Sequence, residues 1–142
     1  MTQGERLAAM LPHAGAMVLL DAVVSWDAVT LCCRSRSHLD PANPLRRDER
    51  LAAVCGVEYG LQAAALHGAM LAGGVPQRAG YVARLRDVRL HVDRLDNPAL
   101  GTLGVDVRLE RQETNGMLYA LCVSDALGRV LIEARASIAV PA

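Results

Sequence analysis

Glu58 and Gln62 stand four residues apart in an otherwise apolar stretch rich in Ala and Leu, residues 51–72. At helical periodicity that spacing puts both on one face, a polar notch in a greasy surface. A carboxylate in such a place costs free energy unless it is hydrogen-bonded, and burial favours its proton-bearing form. That suits a general acid. The plainer reading is a structural carboxylate that pairs with an arginine or caps a strand carbonyl. Gly56 and Gly60 lie close by and offer near approach to the backbone.

Four histidines are candidates for a base. His13 sits in Leu11-Pro12-His13, just before an apolar run, and His38 in a polar segment before the helix; loops of this kind can bring a side chain to a helix end. His67 is nine residues from Glu58, on the far side of the same helix, and His91 falls in a strand, so both read as structural. Arg46, Arg47 and Arg50 read as a solvated loop, with an acidic carrier protein or a phosphate as the alternative partner, and Arg84, Arg86 and Arg89 as the exposed face of a strand.

Other chemistries lack their motifs. Cys32, Cys33, Cys55 and Cys122 include no CxxC pair and no His at zinc-finger spacing, so no metal site is expected and the thiols read as small hydrophobes. Cys55, near the polar notch, is the one that would react if exposed. There is no GxGxxG, P-loop, GxSxG or HExxH, and no cofactor is expected. Fifteen basic and fifteen acidic residues are interspersed, and three per cent of the chain is aromatic, which argues against nucleic acid as a partner. The apolar stretch at 51–75 is broken by Glu58, Gln62, His67 and glycines, so it is not expected to span a membrane. The N-terminus has neither the basic start nor the long apolar core of a secretory signal, and a cytoplasmic location is expected.

The elements that must position Glu58 follow from patterning. Apolar runs at 16–24 and 28–36 read as two strands joined by a turn at Ser25-Trp26-Asp27. Residues 38–50, with Asp40-Pro41, Asn43-Pro44 and a charged run, read as a loop. Residues 51–72 read as one long helix stopped by Gly73-Gly74 and Pro76. Its apolar residues cover nearly every face, so a sheet should enclose it. Strands follow at 79–92, 103–109, 117–124 and 130–140, with Thr114-Asn115-Gly116 as a hairpin signal and the last three strands meandering. Strand, strand, helix, four strands, without repeated βαβ units, is α+β: one antiparallel sheet around one helix, in a single domain over 1–142.

Two segments carry a family resemblance. Leu11-Pro12-His13-Ala14-Gly15-Ala16-Met17-Val18-Leu19-Leu20-Asp21 resembles the segment of β-hydroxyacyl-acyl-carrier-protein dehydratases in which Pro-His precedes an apolar strand ending in Asp, and Val57-Glu58-Tyr59-Gly60-Leu61-Gln62 resembles their helix motif. With the strand pattern, the likeness covers nearly the whole chain and extends to the small dehydratase-like proteins of aryl polyene biosynthesis. It implies a hot-dog fold acting on 3-hydroxyacyl chains carried on acyl carrier protein, with Glu58 as the catalytic acid and Gln62 as its helix partner. Gly56, Tyr59 and Gln62 are then expected to face substrate, and His13 or His38 to act as base, His13 slightly favoured. The sequence departs from that family where a Gly-His-Phe-Pro-Gly loop usually carries the catalytic histidine: here Asn43-Pro44-Leu45-Arg46-Arg47 stands in that region. An acyl thioesterase and a non-catalytic acyl-binding subunit are the competing functions. Pairing of sheets edge to edge, as in that family, implies a homodimer or a hot-dog heterodimer.

Overall fold

The structure, a computed structural model, describes residues 18–73 and 81–139. Among these residues six strands form one sheet: β1 (Ala22–Trp26), β2 (Thr30–Ser35), β3 (Tyr81–Leu90), β4 (Leu103–Glu113), β5 (Gly116–Ser124) and β6 (Val130–Ala139). Their order is β1-β2-β4-β5-β6-β3, and every neighbouring pair is antiparallel. The clean alternation in β4 explains its placement: Leu103, Val105 and Val107 are buried, while Asp106 and Arg108 point the other way. Glu113 pairs with Gly116 across the expected hairpin.

Among the described residues one α-helix, α1 (Gly56–Leu71), lies on β4 and β5, with β2 and β6 to either side. Two glycines let it come close. A Cβ at Gly60 would sit 2.9 Å from Leu121 Cβ, and one at Gly56 would run into Ile132 Cδ1. Leu66, Ala63 and Tyr59 of the helix and Leu31, Leu103, Val105, Tyr119, Val123 and Ala136 of the sheet close a core with essentially no exposed surface. A helix wrapped by an antiparallel sheet whose third strand lies outside the sixth is the hot-dog fold.

The expected 51–72 helix begins later, as a 3-10 turn (Ala53–Cys55) that feeds into α1, because the backbone before it is engaged elsewhere. Leu95 N–H donates to the Leu51 carbonyl (2.8 Å), Ala53 N–H to that of Asp93 (3.0 Å), and Leu51 N–H to Asp96 Oδ1 (3.1 Å). The helix stops as expected, with Ala72 as its last half-turn and Gly73 in the left-handed region at φ 77°.

The first strand also differs from expectation. Residues 18–21 are not in the sheet, and β1 runs on through Trp26 to a turn at Asp27, whose Oδ1 accepts from the Val29 and Thr30 amides (2.8 and 2.7 Å). Leu19 cannot join the ladder because side chains claim both of its backbone groups. The expectations that fall at 16–17, 74–80 and 140 lie outside the described residues. Among the described residues, no helix is long and apolar enough to cross a membrane.

Candidate active site

Glu58 sits in the first turn of α1 and is half-buried. Its surroundings follow from helical rotation. Val54, Glu58, Leu61, Ala65 and Ala72 fall within a narrow angular stripe, and every one of them retains exposure. Val57, Tyr59, Gly60, Gln62, Ala63, Ala64 and Leu66 are all buried. The sheet therefore covers three sides of the helix and leaves the Glu58 stripe half open. The all-round apolar sequence concealed this, because the open side is itself apolar apart from Glu58.

Gln62 is fully enclosed, and its Oε1 accepts the Leu19 N–H at 2.8 Å. That bond holds the lead-in segment of the chain against the helix one turn beyond Glu58. The Leu19 carbonyl is held in turn: Ser35 Oγ and Ser37 Oγ donate to it at 2.5 and 2.7 Å. With the Ser37 proton committed to Leu19, the Tyr59 hydroxyl donates to Ser37 Oγ (2.7 Å), and Asn43 Nδ2 donates to Tyr59 (3.0 Å) and to the Ser37 carbonyl (2.9 Å). One buried, satisfied network thus fastens the lead-in segment, the 37–43 loop and the helix together.

All three expected substrate contacts depart from expectation: Gln62 is fully enclosed, with its Oε1 committed to the Leu19 amide. Tyr59 has no exposure; burial raises its phenol above the ordinary range, and its proton is bound within the scaffold, so it positions the loop and does not face a ligand. Gly56 lies two residues from Glu58, about 200° round the helix. It meets Ile132 of the sheet, on the side away from the open stripe.

His38 departs further from expectation. It belongs to a 3-10 turn (Ser37–Leu39) instead of an open loop, is completely enclosed, and among the described residues has no hydrogen-bond partner on either ring nitrogen. Burial holds its imidazole below the ordinary value; Arg36 acts in the same direction, while the Gly101 backbone, outside bonding geometry, and Asp21 oppose it. An enclosed neutral ring reaches a substrate only if the turn opens. His13 lies outside the described residues. His67 is the structural residue expected: Nε2–H donates to the Asp27 carbonyl (2.9 Å), which fixes the tautomer, and Nδ1 accepts from the Tyr119 hydroxyl (2.7 Å).

Sequence reasoning missed the Ser35, Ser37 and Asn43 set and the Asp96 carboxylate. Asp96 accepts from Arg94 Nε and Nη2 (2.9 and 2.6 Å) and from Leu51 N–H, which clamps the approach to α1. The Arg94 guanidinium holds that carboxyl well below the usual range. The Asn43-Pro44 pair marked a loop without revealing what it would bind. Burial pushes the Cys33 thiol up to about 12, and it also raises Cys32, Cys55 and Cys122, which makes all four poor nucleophiles. An open cleft of about 390 Å³ separates the lead-in segment (Val18, Leu19, Asp21) from the loop (Ser37, Asp40, Asn43); Glu58 does not line it.

Comparison with known proteins agrees with this architecture. The chain is similar to a chain of the dehydratase heterocomplex ApeI:P from Xenorhabdus doucetiae (21% identity, TM-score 0.81, covering 96% of this chain and 91% of that one). It is similar at lower identity to the E. coli PaaI protein of the phenylacetic acid degradation operon (10%, TM-score 0.61, 83% and 81%). It is also similar to a hypothetical thioesterase from Streptococcus pneumoniae TIGR4 (12%, TM-score 0.60, 84% of each chain). At these identities the likeness establishes the fold. No curated protein matches the sequence. The family is fixed by a model described as ApeP-like, ApeP dehydratase, which matches residues 5–142, nearly the whole chain including both segments flanking the helix: this chain is a member of the ApeP-like dehydratase family.

Proposed function

We propose that the chain dehydrates 3-hydroxyacyl thioesters carried on acyl carrier protein to enoyl thioesters, in aryl polyene biosynthesis. The observation that carries this is the position of Glu58, the one acidic residue of α1, on a half-open apolar stripe in the first turn of an otherwise buried helix. An acyl chain fits the stripe, and the carboxyl group meets its functional end.

In the reaction a base takes the proton α to the thioester carbonyl. The electron pair of that C–H bond forms the C2–C3 double bond as the C3–O bond breaks, and Glu58 gives its proton to the departing hydroxyl, which leaves as water. No cofactor enters this balance. His13 is the preferred base. Gln62 ties Leu19, six residues after His13, to the helix turn next to Glu58, and six residues of chain span at most about 20 Å. His38 is second because of its enclosure. Gln62 acts by holding the lead-in segment.

The half-open stripe calls for a cover, and a second hot-dog subunit, identical or not, supplies one; the ApeI:P heterocomplex supports a non-identical one. We place the enzyme in the cytoplasm, where carrier-bound chains are made. The enclosure of His38 favours one competing reading, a subunit that binds acyl chains and leaves chemistry to its partner. Mass spectrometry of a 3-hydroxyacyl carrier protein after incubation separates the outcomes: loss of water supports dehydration, release of free acid means a thioesterase, and an unchanged substrate means a binding subunit.

A further inference from the structure

Every one of the fifteen basic residues of this chain is arginine, and three of them, Arg84, Arg86 and Arg89, occupy the outer face of edge strand β3. Their register fixes that face. They pair with Ser137, Arg135 and Glu133 of β6, which point away from the helix, whereas Val82, Leu85 and Leu90 pair with Ile138, Ala136 and Ile132 on the helix side. The helix does not cover those apolar residues: Val82, Leu85 and Leu90 are 41%, 41% and 46% exposed. Strand β3 is therefore an overhang with an unpaired edge, an apolar underside and an arginine ladder on top.

We propose that this ladder selects the partner: β3 pairs with the edge strand of a non-identical hot-dog subunit that carries acidic residues at the outward positions, and disfavours pairing with its own copy. This rests on the reading above that a second hot-dog subunit covers the open stripe. Two copies joined by a two-fold axis perpendicular to the sheet would keep both apolar undersides together, but would align the ladders. With the axis at Leu85, Arg84 faces Arg86; with the axis at Arg86, that residue faces its own copy; with the axis in the bulge at 87–88, Arg86 faces Arg89. Like charges directly opposite across a strand pair repel.

Little within the chain relieves this repulsion. Asp87, in the bulge with φ 54°, turns toward Arg135 (3.5 Å) and lies 3.9 Å from Arg86, and Arg135 is also bound by Glu110 at 2.8 Å. Glu133 stands opposite Arg89 in the register but is bound by His91 at 3.0 Å, and among the described residues no carboxylate lies within ion-pair distance of Arg84 or Arg89. An acidic edge strand would pair with these guanidinium groups while its own subunit covered the apolar underside.

The test needs no knowledge of the natural partner. Sedimentation equilibrium compares wild type, R84E/R89E and their equimolar mixture at about 50 mM and about 500 mM salt. The mixture is expected to dimerise at least about tenfold more tightly than either protein alone at low salt, with the advantage shrinking at high salt; wild type alone tightens as salt rises. A second variant, R84Q/R89Q, should self-associate more tightly than wild type, and circular dichroism checks that each variant folds. Wild type that dimerises at low salt as tightly as the mixture, or self-association unmoved by R84Q/R89Q, overturns the proposal. Because mass and not turnover is read, either result leaves the dehydratase reading standing, and an inactive enzyme leaves the ladder standing.

Discussion

Replacing Gln62 with Leu tests whether the helix holds the lead-in segment as the structure indicates. The side chain is fully buried and its Oε1 accepts the Leu19 amide at 2.8 Å, so Gln62→Leu keeps the apolar volume and removes the acceptor. Leu19 is itself 1% exposed, and water cannot replace the lost partner without opening the core. A buried amide left unsatisfied costs about 1–3 kcal/mol. For a chain of this length about 2 kcal/mol lowers Tm by roughly 6–10 °C. Thermal and urea unfolding at neutral pH give the stability change, and hydrogen exchange reports the mechanism: the Leu19 amide should lose protection more than amides of β4 and β5. Gln62→Glu, which retains an acceptor oxygen, should keep more of that local protection than Gln62→Leu. A Gln62→Leu protein within about 0.5 kcal/mol of wild type, with Leu19 still protected, would refute the reasoning.

Glu58→Gln should lower dehydration of a 3-hydroxyacyl carrier substrate by about 10²–10⁴-fold with the unfolding midpoint nearly unchanged, because the residue is half exposed; near-normal turnover in a rapid-quench assay would remove it from the chemistry. His38, neutral in the fold and without a partner among the described residues, titrates in the unfolded chain at its ordinary 6.5. Since its folded value is lower, the unfolded state binds the extra proton, and stability present above 6.5 is lost as pH falls toward the folded value, by at most about 1.4 kcal/mol per pH unit. His38→Phe should therefore flatten the fall in Tm between about pH 7.5 and 5.5, and equal slopes in both proteins would contradict the burial argument. Gly60→Ala places a Cβ 2.9 Å from Leu121 Cβ, an atom fixed to its own strand, and should destabilise by about 1–3 kcal/mol in urea titration despite the better helix propensity of Ala; a neutral or stabilising result would mean that α1 is free to lift from β5.

Periodicity alone was enough to place the long helix and the six strands of the described residues. Local patterns carry that information: two-residue alternation in β4 and β5, an Ala- and Leu-rich run ended by Gly73, and the Thr114-Asn115-Gly116 turn. Glu58 was legible for a similar reason, since one carboxylate in an apolar helix stands out whatever surrounds it. Strand order was not legible, because β3 lies beside β6 through a contact forty or more residues away in sequence that no local pattern encodes. The same holds for which side of the helix stays open. That is set by where the sheet ends, and it put Gly56 against Ile132 and left Glu58 half exposed, although only two residues separate them. Tyr59 and His38 show the limit most clearly: a phenol and an imidazole that look functional as residue types became a scaffold strut and an enclosed ring once the 37–43 loop closed over the helix, because burial and hydrogen-bond geometry are properties of the assembled chain.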